Sequence, residues 1–125
     1  MMVIAILFTL SILFGAVGAL LMKLGSSQLG VIQIGTLQDI IRFVSKILTN
    51  LTIIGGMSMY FLSAALWVYL LTKLDVSVVQ PILALTYVVT PILAIMFIGE
   101  TVPPARWLGI VVIVFGVFLV ARTAT

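Results

Sequence analysis

Apolar residues run almost unbroken through four stretches of this chain: Val3 to Leu24, Leu51 to Thr72, Val76 to Ile98 and Pro103 to Ala121. Each is long enough to cross a hydrocarbon core about 30 Å thick at about 1.5 Å of rise per residue. In lipid only helices and closed barrels satisfy their own backbone groups, and none of the four runs shows the alternation of a barrel strand. The pattern therefore predicts an all-α membrane protein, a four-transmembrane-helix bundle forming a single domain over residues 1–125. The first run opens on MMVIAILFTL, with no basic residue ahead of its apolar core, and continues to Leu24. That is the pattern expected of a retained span rather than a cleaved signal segment.

The connections differ in character. Only KLDV separates the second and third spans, so those two are expected to form an antiparallel hairpin. Between the third and fourth lies GETVPPAR, whose prolines suit the first turn of a helix because the N–H they lack has no partner there. The link from Gly25 to Asn50 is the one part with the composition of a soluble segment. Within it, TLQDIIRFVSKIL puts Leu37, Ile40, Ile41, Val44 and Leu48 on one helical face, with Gln38, Asp39, Arg42, Ser45 and Lys46 mostly on the other. Thr36 and Asp39 have the spacing of a reciprocal N-terminal cap. An amphipathic segment over about 36–49 is expected, lying at headgroup level or prolonging the second span beyond the membrane. A plain linker without a role in function is the other reading. The glycosylation-like triplet NLT at Asn50 abuts a span and is read as chance.

Composition narrows the chemistry. With 64% hydrophobic and 7% charged residues, the chain lacks the polar groups to cover a water-soluble surface. It has neither cysteine nor histidine, which removes disulfides, thiolate nucleophiles, imidazole bases and the common zinc and haem ligand sets. No metal and no cofactor is expected, and no nucleophile, base and metal constellation exists, so an enzyme is not expected. The net charge of +3 comes from six basic residues scattered at the ends of the apolar runs. Such scatter suits interfacial anchoring, so the bilayer is an expected partner and nucleic acid is not. Lys23, Arg42, Lys46 and Arg106 fall on one side, and Lys73, Arg122 and the amino terminus on the other. The bias is weak enough to permit either orientation, or both.

Small and polar residues then mark faces of the spans. In the first, Ser11, Gly15, Gly18, Met22 and Gly25 share a face, and Gly15 with Ala19 forms a small-xxx-small pair. Tight helix packing and the border of a cavity are both consistent with it. In the second, Gly56, Tyr60, Ser63 and Trp67 share a face, and a tyrosine in mid-span suggests a semi-polar lumen. Trp67 and Tyr69 also suit an interfacial belt. The third is the most polar, with Ser77, Gln80, Ala84, Tyr87 and Pro91 in one stripe and Thr86 and Thr90 beside it. A glutamine amide inside a span belongs on a cavity or a helix neighbour, and Gln80 is the leading polar candidate. Pro81 and Pro91 each free a carbonyl one turn earlier. The fourth span is aliphatic, with Gly109 and Gly116 a heptad apart, which suits a dimer interface.

The segment ALWVYLLTKLDVSVVQPILALTYVVTPILAIMFIGETVPPARWLGIVVIVFGVFLV, together with GALLMK at Gly18 to Lys23, resembles the four-helix, single-repeat members of the drug/metabolite transporter superfamily. That group contains EamA-type repeats, small multidrug resistance transporters and aminoarabinose-lipid flippase subunits, and the pattern is nearest to the last. Small multidrug resistance proteins carry a membrane-embedded glutamate in their first helix. Counting back from LMK, Gly15 stands at that place, and both Asp75 and Glu100 lie in short loops. The resemblance is therefore to the members that work without a buried carboxylate.

From the stripes and the resemblance together, a substrate pathway is expected along Gly15, Gly18, Tyr60, Ser63, Trp67, Gln80 and Tyr87. Lys23 and Arg106, with Glu100 near them, stand where they would meet a headgroup or phosphate, although ordinary anchoring explains them too. Four helices enclose little space, so a homodimer, or a heterodimer with a related four-helix subunit, is expected. The expected function is that of a small transporter or flippase subunit in a prokaryotic inner membrane, moving an amphiphilic or lipid-linked sugar substrate. The alternatives are efflux of a small metabolite or drug, and a non-transporting scaffold subunit of a glycosyltransferase or permease complex.

Overall fold

The computed structural model describes residues 1–124 and is helical throughout its ordered elements. These are α1 (Met2–Gln28), α2 (Leu37–Thr49), α3 (Leu51–Leu71), α4 (Val76–Leu83), α5 (Thr86–Ile98) and α6 (Pro104–Ala121). Four segments are long and apolar enough to cross a membrane: α1, α3, the α4–α5 pair taken as Val76–Ile98, and α6. The chain is a multi-pass membrane protein.

The first span is the hub. Of its most apolar stretch 39% is buried, against 11% or less for the other three, because α1 packs on α3, α4 and α5 at once. What lets it do so is the small-residue face. A Cβ placed on Gly18 would lie 2.8 Å from the carbonyl oxygen of Gly56, and one on Gly56 would lie 2.7 Å from that of Gly18. Neither separation is tolerable, so glycine on both sides is what brings the α1 and α3 backbones together. A side chain on Gly25 would collide with Ile53 in the same seam. Toward the other end, Phe8, Leu70 and Val79 form the packed core at the hairpin between α3 and α4.

The third span is two helices. Between α4 and α5 the backbone tightens at Ala84 (φ −63°, ψ −12°) and Leu85 (φ −59°, ψ −18°). Across this step bonds to the third residue back intrude on the α-helical ladder: Ala84 N is shared between Gln80 O at 3.2 Å and Pro81 O at 3.0 Å, while Leu85 N donates to Ile82 O at 3.1 Å and Tyr87 N to Ala84 O at 2.9 Å. The break lies between Pro81 and Pro91, whose missing N–H groups leave the ladder incomplete on both sides. The span expected over 76–98 is thus present as Val76–Ile98, subdivided by this step into α4 and α5.

The α2 helix is a separate element rather than a prolongation of the second span. Thr36 caps it: its Oγ1 accepts from Asp39 N at 3.3 Å, while the Asp39 carboxylate accepts from Thr36 N at 3.2 Å. At the other end Asn50 takes an extended backbone (φ −92°, ψ 112°), which stops α2. The same side chain starts α3 by accepting from Ile53 N at 3.0 Å, and its amide donates to Gln28 Oε1 at 3.1 Å. One asparagine thus joins the ends of α1, α2 and α3. Finally, α6 packs on α4 and α5 at the margin of the bundle, turning Ile110 and Val117 inward.

Candidate functional site

The break in the third span opens onto a cavity of about 350 Å³ between α1, α3 and the α4–α5 pair. Gly15, Tyr60, Ser63, Gln80 and Tyr87 line it, together with Leu83, Ala84 and Thr86. Most belong to the middle stretches of their spans, with Gln80 nearer the start of its own. Gly15 is buried, but a Cβ there would be 3.5 Å from Ser63 Oγ and 3.7 Å from Thr86 Cγ2, which is ordinary contact. The cavity wall therefore has room where the rest of the α1 stripe has none.

Its polar groups are hydroxyls and one amide. Ser63 is held by the fully buried Ser11: Ser63 Oγ donates to Ser11 O at 2.8 Å, and Ser11 Oγ donates to Ser63 O at 3.1 Å. These bonds fix the α3 backbone where it borders the cavity. Gln80, Tyr60 and Tyr87 stand exposed at its rim, with donors and acceptors turned to whatever enters. No carboxylate and no cation lines the wall. What the arrangement offers is hydrogen bonding to hydroxyl or amide groups between aromatic faces.

Five of the seven residues expected along a pathway meet in this cavity. Gly18 is instead pressed against Gly56, and Trp67 packs beside Phe8, Leu70 and Val79, where its Nε1 is buried without a hydrogen-bond partner. Three lining residues were absent from the pathway set. Ala84 lay in the polar stripe and Thr86 beside it, whereas Leu83 reaches the cavity because the helix breaks immediately after it. The paired prolines were the signal for that. Lys23 and Arg106 are exposed at the same end of the bundle, and Glu100 follows Gly99, whose φ of 74° ends α5 in a left-handed turn. Gly109 and Gly116 face open space on the outer side of α6.

A helical bundle whose broken span borders a cavity carrying a few hydroxyls and an amide among apolar walls is the architecture of a secondary-transporter repeat. The chain belongs to the EamA-like transporter family, whose pattern it matches over residues 2–122. This bears out the resemblance to the drug/metabolite transporter superfamily. Curated relatives include the "Probable 4-amino-4-deoxy-L-arabinose-phosphoundecaprenol flippase subunit ArnE" of Yersinia pseudotuberculosis serotype O:1b (strain IP 31758), 37% identical over 60 residues. That match spans 48% of this chain and 53% of the relative. A protein of the same name from Pseudomonas savastanoi pv. phaseolicola (strain 1448A / Race 6) is 35% identical over 63 residues, 50% of this chain and 55% of its own length. The chain thus spans about half the length of the curated relatives it matches. No solved structure matches it.

Proposed function

We propose that this chain is one subunit of a dimeric transporter of the bacterial inner membrane that moves an amphiphilic, lipid-linked sugar. The observation that carries the reading is the cavity at the α4–α5 break, which offers hydroxyls, an amide and two tyrosines but no carboxylate and no basic group. Sugar hydroxyls pair with such a wall, whereas a substrate cation finds no counter-charge on it. The relatives' printed name, a flippase subunit for a phosphoundecaprenol-linked aminosugar, supports that substrate class and a second subunit. Gly15, Tyr60, Ser63, Gln80 and Tyr87 contact the polar portion, Gly18 keeps the α1–α3 seam closed, and Trp67 packs the hairpin end. Lys23 and Arg106 meet the phosphate at the membrane surface. Gly109 and Gly116 lie in the dimer interface, where the open outer face of α6 leaves room for a partner.

The test is reconstitution in liposomes, with movement of a polyprenyl-phosphate sugar and of a hydrophobic cation measured side by side. Sugar-lipid movement that Gln80→Ala cuts tenfold or more, without cation movement, is the expected result. Cation movement alone would replace this reading with drug efflux. Failure to move either, alone or paired with a related subunit, would favour a scaffold.

A further inference from the structure

A second feature begins at the α2 corner and reaches the rim of the cavity only at Tyr60. The residues of α2 divide into three arcs. Phe43 and Ile47 turn toward the bundle and are half-buried, while Leu37, Ile40, Ile41, Val44 and Leu48 are exposed. Asp39, Arg42 and Lys46 occupy the remaining side. Because Asn50 ends α2 and begins a membrane span in one step, α2 ends at the boundary of the bilayer. A helix so placed lies with its apolar arc in the acyl boundary and its cations at phosphate depth.

Two apolar hollows continue from it into the membrane. One of about 310 Å³ lies under Phe43 and Ile47, against Met22, Ile53 and Met57. The next, about 440 Å³, shares Met22 and Met57 and runs on to Tyr60 and Phe61. From Ile53 to Tyr60 this groove follows about 10 Å of α3. Above it, Arg42, Lys46 and Asp39 border a small hollow of about 160 Å³ in which Phe43 is again a wall. The Asp39 carboxylate there accepts from the N–H groups of Gly35 and Thr36, both at 3.2 Å, which ties it to the cap and leaves the two cations outnumbering it by one.

The geometry points to a binding site for one anionic membrane lipid, its phosphate held by Arg42 and Lys46 and one hydrocarbon chain lying in the groove along Met22 and Met57. The groove sits within spanning segments, so hydrocarbon is what surrounds it, and two flexible methionines suit a chain of variable shape. Charge supplies the selectivity: each basic residue at phosphate depth strengthens binding to an anionic lipid, and two of them favour it about tenfold or more over a zwitterionic one. The site does not depend on the transport reading and holds whether or not the chain moves a substrate.

The purified full chain, titrated with phosphatidylglycerol and phosphatidylcholine and read by native mass spectrometry, tests it. One phosphatidylglycerol per chain should be retained in preference, and R42Q with K46Q should bring the two lipids to within about twofold. Lys73→Gln, at the opposite end of the bundle, should leave the preference intact. A photoreactive phosphatidylglycerol should label peptides containing Met22, Phe43 or Met57 in the unaltered chain. Labelling confined to other segments, or an undiminished preference in the double variant, would overturn the site. Displacement of the lipid by millimolar inorganic phosphate would overturn it as well, in favour of a soluble anion.

Discussion

Ser11 of α1 and Ser63 of α3 hold each other's backbone: each hydroxyl donates to the other residue's carbonyl, at 3.1 and 2.8 Å, and their oxygens stand 3.0 Å apart. Interhelical bonds of this kind in a membrane average about 0.6 kcal/mol and reach about 1.7. Ser11→Ala together with Ser63→Ala should cost about 1–3 kcal/mol of unfolding free energy in detergent. The two changes should also couple in a double-mutant cycle, since either alone breaks one bond and loosens the other. Strict additivity would mean that the bonds contribute nothing jointly.

The seam beside them is governed by Gly18 and Gly56. Gly56→Val puts a Cβ within 2.7 Å of the Gly18 carbonyl oxygen, so α1 and α3 must separate. At Gly109, the Cβ of Gly109→Val meets nothing within 4 Å inside the chain. Thermal unfolding of the monomer should fall by several degrees in the first variant and stay level in the second. Equal effects at both positions would contradict the packing described here.

On the outer face of α6, Gly116→Leu should convert a detergent-stable dimer into a monomer with unchanged helicity, because bulk at that position holds a facing helix away. Elution by size and chemical crosslinking read the result. A variant that elutes like the unaltered chain would move the proposed interface off α6.

Gly15 bears on coupling. With no carboxylate in the cavity, adding a hydrophobic cation near neutral pH should release no protons from the purified protein. Gly15→Glu introduces such a group where a side chain has room beside Ser63 and Thr86, and cation binding should then release protons saturably. Saturable release from the unaltered chain would identify an acid group that the cavity does not show.

Asp39 gives α2 a pH dependence. Hydrogen bonds from the Gly35 backbone, then from Thr36, hold its carboxyl below the ordinary carboxylate value. A lowered folded-state value means that the cap contributes fully above the unfolded pKa, about 3.9 for an aspartate, and is lost as pH falls through the folded one. Amide exchange at Asp39 and Ile40 should therefore accelerate, relative to the central residues of α2, only below about pH 4. Asp39→Asn should remove that dependence. Acceleration already at pH 6 would place its origin elsewhere.

Much of this protein follows from local pattern. Continuous apolarity over the length of a bilayer demands helices whatever their neighbours, so the four spans are legible without a structure. The Thr36–Asp39 cap is equally local, because its bonds span only three residues. Helical spacing also places Gly15, Gly18, Ser63 and Gln80 on inward faces. It cannot say how near the facing backbone comes, and that distance separates Gly18, locked against Gly56, from Gly15, which borders an open cavity. Nor does the presence of Pro81 and Pro91 decide whether a helix bends or breaks. That depends on how neighbouring amides rebond, and here the shortened bonds around Ala84 and Leu85 end one helix and begin another. Trp67 belongs to the hairpin core for the same kind of reason. Its face was set by sequence spacing, whereas its neighbours were set by where α1 and α4 cross it.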